Sequence, residues 1–237
     1  MNTITNVEGL QVSPNIAKHH LKNVVFRPMV FSATMIKALL DGRKTQTRRI
    51  INKNYQTNKV KPAKPSFTNE TDCREFKLGN EFDEDYIYKI PVSQCDFIWV
   101  RETFSEFGKG FIYKSDYLAE FSDLKIKWKP SLFMPRSACR IFLEVTDIRI
   151  ERLNEISEAD AINEGIEASI VKSSIFKTYL GFKNYYVQDA EDELYYKSPI
   201  DSYKSLCMTI NGSESWQENP FVFVYTFKVV ECPNGFI

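Results

Sequence analysis

Apolar positions along the chain follow two periods. Phe221, Phe223, Tyr225 and Phe227 recur at every second residue and write a strand. Cys139, Ile141, Leu143 and Val145 alternate with Arg140, Phe142, Glu144 and Thr146, which predicts a half-buried strand. Asp96 to Glu102 reads as a short buried strand ending in charge, and residues 104–113 as another around Gly108 and Gly110. Val24-Val25-Phe26 and Met29-Val30-Phe31 form a strand interrupted by Pro28. Helical spacing replaces this alternation in three places. Met35, Ile36, Leu39 and Leu40 follow the capping hydroxyls of Ser32 and Thr34, and Gly42 is the natural left-handed exit. Ser157 and Asp160 resemble a capping box, Ile156 and Ala161 its staple, and Gly165 the exit of a second helix. Tyr203, Leu206, Cys207 and Ile210 suit a third, stopped by Asn211-Gly212.

Between these elements the pattern lapses. Residues 1–22 are polar and aperiodic, as in a tail. Residues 52–95, rich in lysine, asparagine and acids with Pro62 and Pro65, resemble a surface insertion, and so does the tyrosine- and acid-rich segment 167–200. The expectation is one domain over 23–232, of α+β class, built as a mixed β-barrel flanked by short helices with two large insertions. A content of 18 Phe and 12 Tyr suits β-rich architecture.

Five scattered cysteines with no CxxC spacing, and two histidines that are the neighbours His19 and His20, support neither a zinc site nor a disulfide framework. No metal and no cofactor is expected. Asp83-Glu84-Asp85 offers carboxylates for a metal-dependent nuclease, but a solvated acidic loop is the safer reading. The N-terminus has no apolar signal core and no run approaches membrane-spanning length, so a cytoplasmic protein without a membrane partner is expected.

Charge changes the picture. The net charge is zero, yet residues 1–60 hold ten Lys and Arg against Glu8 and Asp41, a balance of +8 that the remainder offsets with −8. Either a basic site faces a phosphate-bearing partner, or the two halves neutralise each other across the fold. The densest chemistry is Gly42-Arg43-Lys44-Thr45-Gln46-Thr47-Arg48-Arg49, four cations and two threonine hydroxyls just after a helix. Lys44, the head of a strand expected to run to Ile51, would share one face with Gln46 and Arg48, and Thr45, Thr47 and Arg49 the other. For Lys44 to reach Thr47 the segment must turn just after Gly42. Arg101 and Glu102, at the end of an apolar strand, form either a structural ion pair or a ligand contact. Glu164 sits at a helix C-terminus, where the macrodipole disfavours a carboxylate unless a cation such as Lys44 faces it. No GxSxG, P-loop or GxGxxG motif is present.

The segment Gly42 to Arg49 resembles the GxKxxTxR motif of ASCH domains, members of the PUA-like β-barrel superfamily, and most closely the long ASCH proteins of phages and prophages. The resemblance runs through Phe31 to Ile51, Asp96 to Phe104, Lys129 to Ile166 and Ile210 to Val230, and leaves the two insertions outside. It implies a barrel with a cleft for a nucleoside, nucleotide or RNA. The superfamily includes a small bacterial amidohydrolase that deacetylates acetylcytidine, and its catalytic Lys, Thr and Glu match Lys44, Thr47 and Glu164 here. In that chemistry Thr47 attacks an amide carbonyl, Lys44 takes its proton and Glu164 orients the lysine. Arg43, Arg48, Arg49, Arg101 and Glu102 would then be substrate-binding, with Arg48 and Arg49 on phosphate. A non-catalytic RNA-binding module, a ribonuclease, and a phage assembly or host-interaction protein using the tyrosine-rich insertion are the competing readings.

Overall fold

The computed structural model describes residues 24–51, 66–67, 75–79, 85–117, 125–172, 178–186 and 195–236. The expected tail, His19 and His20, and much of the 52–95 segment with Asp83 and Glu84 lie outside these residues. Among the described residues the strands are β1 (Phe26–Val30), β2 (Gln46–Ile50), β3 (Ser66–Phe67), β4 (Glu75–Gly79), β5 (Asp85–Lys89), β6 (Phe97–Arg101) and β7 (Phe104–Phe107). They continue as β8 (Gly110–Tyr113), β9 (Phe142–Arg152), β10 (Ala168–Val171), β11 (Tyr179–Lys183), β12 (Tyr195–Tyr196) and β13 (Phe221–Val230). The helices are α1 (Ala33–Leu40), α2 (Glu158–Asn163), α3 (Pro199–Asn211) and α4 (Ser215–Glu218). The class is α+β, and no helix is long and apolar enough to cross a membrane among the described residues.

The main sheet has the order β1-β6-β9-β13-β2, with β1 parallel to β6 and the other pairs antiparallel. Its edges β1 and β2 do not pair among the described residues, so no closed barrel forms. A side chain spans the seam where ladder bonds would close it: Arg49 Nη2 of β2 donates to the Val30 carbonyl of β1 at 2.8 Å. Pro28, which lacks an N–H, sits on β1, where an edge strand tolerates it.

β13 is buried on both faces. Phe221, Phe223, Tyr225 and Phe227 join Phe31, Ile36 and Leu39 in one core, and Val222 and Val224 pack with Leu153, Ile156, Leu206 and Cys207 in a second. This explains why β13 alternates aromatic with aliphatic side chains rather than with polar ones. β9 runs six residues beyond the alternation that predicts it. Its register against β13 shifts at Thr226/Phe227, a bulge that moves the inward set from Leu143 and Val145 to Ile148 and Ile150. Residues 104–113 form the hairpin β7–β8 rather than one strand, turning at Gly108 with φ +60°. The two expected insertions are not wholly peripheral. Ile90 and Val92 belong to the first core, and Phe182 and Tyr185 to the second. Ile210 and Leu40, expected on buried helix faces, are exposed.

One contact sets the position of the charged residues. The Ser157 hydroxyl caps α2 by accepting from Asp160 N, and the far end of the helix abuts residues 43–45. There Thr45 N donates to the Asn163 carbonyl at 2.9 Å and Arg43 Nη1 to the Gly165 carbonyl at 2.9 Å. Gly165, at φ +84°, lies so close that a Cβ would stand 2.7 Å from the Ala38 Cβ and 2.8 Å from the Lys44 Cβ. Gly42 also has positive φ, +70°, but open space around it. In urea denaturation Gly42→Ala is therefore expected to cost about 1 kcal/mol, the backbone penalty alone. Gly165→Ala should lose a further ~1–3 kcal/mol from overpacking. Equal losses would show that the close approach imposes no constraint.

Candidate functional site

Lys44 lies between α1 and β2, where its backbone N donates to the Ala38 carbonyl at 3.0 Å and the chain turns inward. Its side chain is fully buried. The Nζ donates to the Glu164 carbonyl at 2.8 Å and to Glu164 Oε2 at 2.7 Å. The carbonyl bond serves one of the unpaired carbonyls at the end of α2, and the cation offsets the negative pole there. The carboxylate that disfavours a helix C-terminus thus has a cation facing it. These two bonds also use both donors of a neutral amine and leave its lone pair free.

Glu164 is shared. Its other oxygen, Oε1, accepts from Arg48 Nη1 at 3.2 Å. Arg48 is held in turn by Glu151 Oε1, at 3.0 Å from Nε and 2.6 Å from Nη2, and by Asp160 Oδ2 at 3.2 Å. Arg149 closes the lattice with Glu151 at 3.0 Å and Asp160 at 2.8 Å. Cation and anion alternate from the buried end at Lys44 to the half-exposed Arg149. Burial is the strongest influence on Lys44 and lowers its pKa below the ordinary 10.5. Glu164 pulls the other way through its charge and hydrogen bond, while Arg49 and Arg48 add to the lowering. For Arg48, burial opposes the charge, but the carboxylates around it, Glu164 foremost, more than reverse this and hold its pKa above the ordinary value.

Thr47 and Arg49 occupy the opposite face of β2, across from Tyr225 and Phe223. A cavity of about 60 Å³ is lined by Thr47, Arg48, Arg49, Glu164, Tyr203 and Cys207, with apolar residues of both cores around them. Thr47 is 1% exposed. Arg49 sits over the Phe31 ring, 4.9 Å from its centroid, and its Nε is buried with no partner among the described residues. The space falls well short of the ~150 Å³ that takes up a benzene ring. It suits a group of a few heavy atoms.

The structure therefore joins Lys44 to Glu164 and Glu164 to Arg48, and sets Thr47, Arg48, Arg49 and Glu164 around one cavity. Arg48, expected to hold phosphate, has a side chain that is 1% exposed and engaged by three carboxylates. Arg43 is committed to the Gly165 carbonyl and to Asp41. Arg101 and Glu102 do not join this cluster. Glu102 pairs with Arg140 at 2.8 Å and accepts from the Ser115 hydroxyl, and Arg101 lies over Trp99 with Nη1 on the Leu132 carbonyl. Sequence reasoning missed Glu151, Arg149 and Tyr203. Glu151 and Arg149 lie beyond the β9 bulge, where the period breaks. Tyr203 was expected only as part of an apolar helix face. Asp160 was recognised only as a cap. Among the described residues no group of three or more His, Cys, Asp and Glu is placed to hold a metal ion.

Set against known protein families, curated proteins and solved structures, the chain matches none.

The Lys44 side chain is expected to titrate with a midpoint below 10.5 when followed by NMR of its labelled ε-carbon. Between that midpoint and 10.5 the unfolded chain binds more protons than the native one, so this lysine's contribution to stability grows as pH rises through that window. A midpoint at or above 10.5 would overturn the dominance of burial.

Proposed function

We propose that this chain is an ASCH/PUA-like protein, its barrel open at one seam, that hydrolyses an amide on a modified nucleobase such as acetylcytidine, free or within RNA. The observation that carries this reading is the buried Lys44–Glu164 pair beside a cavity that Glu164 and Thr47 both line. The cavity volume suits the acyl group, and the nucleoside ring then stays at its mouth.

Thr47 Oγ1 attacks the acyl carbon and gives its proton to the neutral Lys44 amine, whose two N–H groups are already spent on Glu164. The unpartnered Nε of Arg49 donates to the carbonyl oxygen as charge develops on it. Collapse breaks the C–N bond, and the Lys44 ammonium returns the proton to the departing amine. Water then cleaves the acyl-threonine ester, releasing the carboxylic acid and restoring Thr47. Burial supplies what an amine base needs, a pKa brought down towards the working pH.

Acetylcytidine hydrolysis followed by chromatography tests this reading. Wild-type protein is expected to release cytidine, Thr47→Ala to release none, and Lys44→Met to lose about 100- to 10,000-fold in rate. Circular dichroism checks that each variant is folded. Folded wild type that leaves acetylcytidine intact would sink the proposal.

A further inference from the structure

Arg48 lies one residue from Thr47, yet the pleat sends its side chain to the other face of β2 and into the second shell of carboxylates. Its guanidinium is committed there to three carboxylates. A buried Glu164 serving Lys44 alone would hold the lysine as an ammonium and remove the base. The carboxylate does not serve Lys44 alone: Oε2 faces the lysine at 2.7 Å, and Oε1 faces Arg48 at 3.2 Å. We propose that Arg48 is a positioning residue which draws the charge of Glu164 away from Lys44 and so keeps the amine free to accept a proton. This rests on the reading of Lys44 as the base.

Arg48 is itself graded by the lattice behind it. Glu151 and Asp160 each take part of its charge, and Arg149 takes part of theirs. The groups that act on Lys44 are Glu164, Arg49 and Arg48. Tyr203 and Cys207 press on Glu164 from α3 and stay uncharged, because burial pushes both up. Arg48 is the member of this set that joins Glu164 to the half-exposed carboxylates. A change at Glu151, separated from Lys44 by two intervening side chains, is therefore transmitted to it.

Two substitutions on either side of the relay have opposite signs. Arg48→Met leaves Glu164 wholly to Lys44 and is expected to raise the NMR midpoint of the lysine. For each pH unit of that rise, kcat/KM for acetylcytidine at pH 7 should fall about tenfold. Glu151→Gln releases Arg48 towards Glu164 and should lower the midpoint, moving the alkaline-rising limb of the pH–rate profile to lower pH. Arg48→Lys, which keeps the charge but not the fork, should restore part of the shift. Structural damage alone would depress activity at every pH without moving the midpoint in opposite directions. A Lys44 midpoint unchanged in folded Glu151→Gln and Arg48→Met overturns the proposal, whatever the activity. Shifts of the stated signs in a protein that leaves acetylcytidine intact would uphold the relay and overturn the reaction.

Discussion

A lysine with no exposed surface needs partners for its amine in either protonation state, and the region around β2 supplies them. Taking one charge out of water costs several kcal/mol even after relaxation. The cost is offset here by a chain of opposite charges. Glu164 answers Lys44, Arg48 answers Glu164, and Glu151, Asp160 and Arg149 continue outward until solvent takes over. The same demand reaches the backbone. Lys44 approaches Glu164 only because Gly165 lacks a side chain, and the end of α2 is fastened through the Asn163, Glu164 and Gly165 carbonyls to residues 43–45. A pair of well-packed apolar residues would serve stability equally well or better. Stability therefore does not by itself account for a lysine and a carboxylate buried together here.

Much of this frame was legible in the sequence because it rests on local rules. Ser32 and Ser157 are the caps they were read to be, Gly42 and Gly165 take the left-handed conformation, and the alternation over 221–227 is the central strand β13. The facing of Lys44 and Glu164 was legible as well, since a carboxylate at a helix end asks for a cation. What stayed hidden depends on pairing between distant segments. The bulge in β9 ends the visible period at Thr146 and conceals that the strand continues to Glu151 and Arg152. The hairpin at 104–113 hinges on one glycine turn that a reading of apolar spacing passes over. Barrel closure was the expectation least tied to local signals. Only the tertiary structure reveals that a guanidinium, rather than a ladder of amides, spans the gap between β1 and β2.

Glu102 shows why residue type alone misplaces a functional group. A buried carboxylate next to a cation in sequence suggests a pair with Arg101, but neighbours on a strand point to opposite faces. Arg101 turns to the Trp99 ring, while Glu102 points inward to Arg140 from the chain that enters β9. With Ser115 and Asp116 also bonded to Arg140, this cluster forms a second, separate ionic lattice. Its polar atoms are spent on one another. The Lys44 cluster differs in one respect that matters for chemistry: beside its satisfied ions lie a cavity lined by Thr47 and an Arg49 Nε with nothing to bind among the described residues.

The charge asymmetry along the chain acquires a different meaning from this arrangement. Two readings were open, an exposed basic face for phosphate or neutralisation between the halves of the fold. For the cations at the centre of the basic segment the second holds: Lys44 and Arg48 meet Glu151, Asp160 and Glu164, all drawn from the acidic remainder. Phosphate affinity depends on cations that can displace counterions at the surface, and these two cannot. Arg49 is the one that retains an unmatched donor, and it faces a cavity of about 60 Å³ together with an alcohol. A site with its strong charges cancelled internally and a single guanidinium donor left open is poorly built to hold a polyanion. On the proposed reading it stabilises one oxygen atom on which negative charge develops during the reaction, because a donor already oriented and desolvated needs no rearrangement when that charge forms.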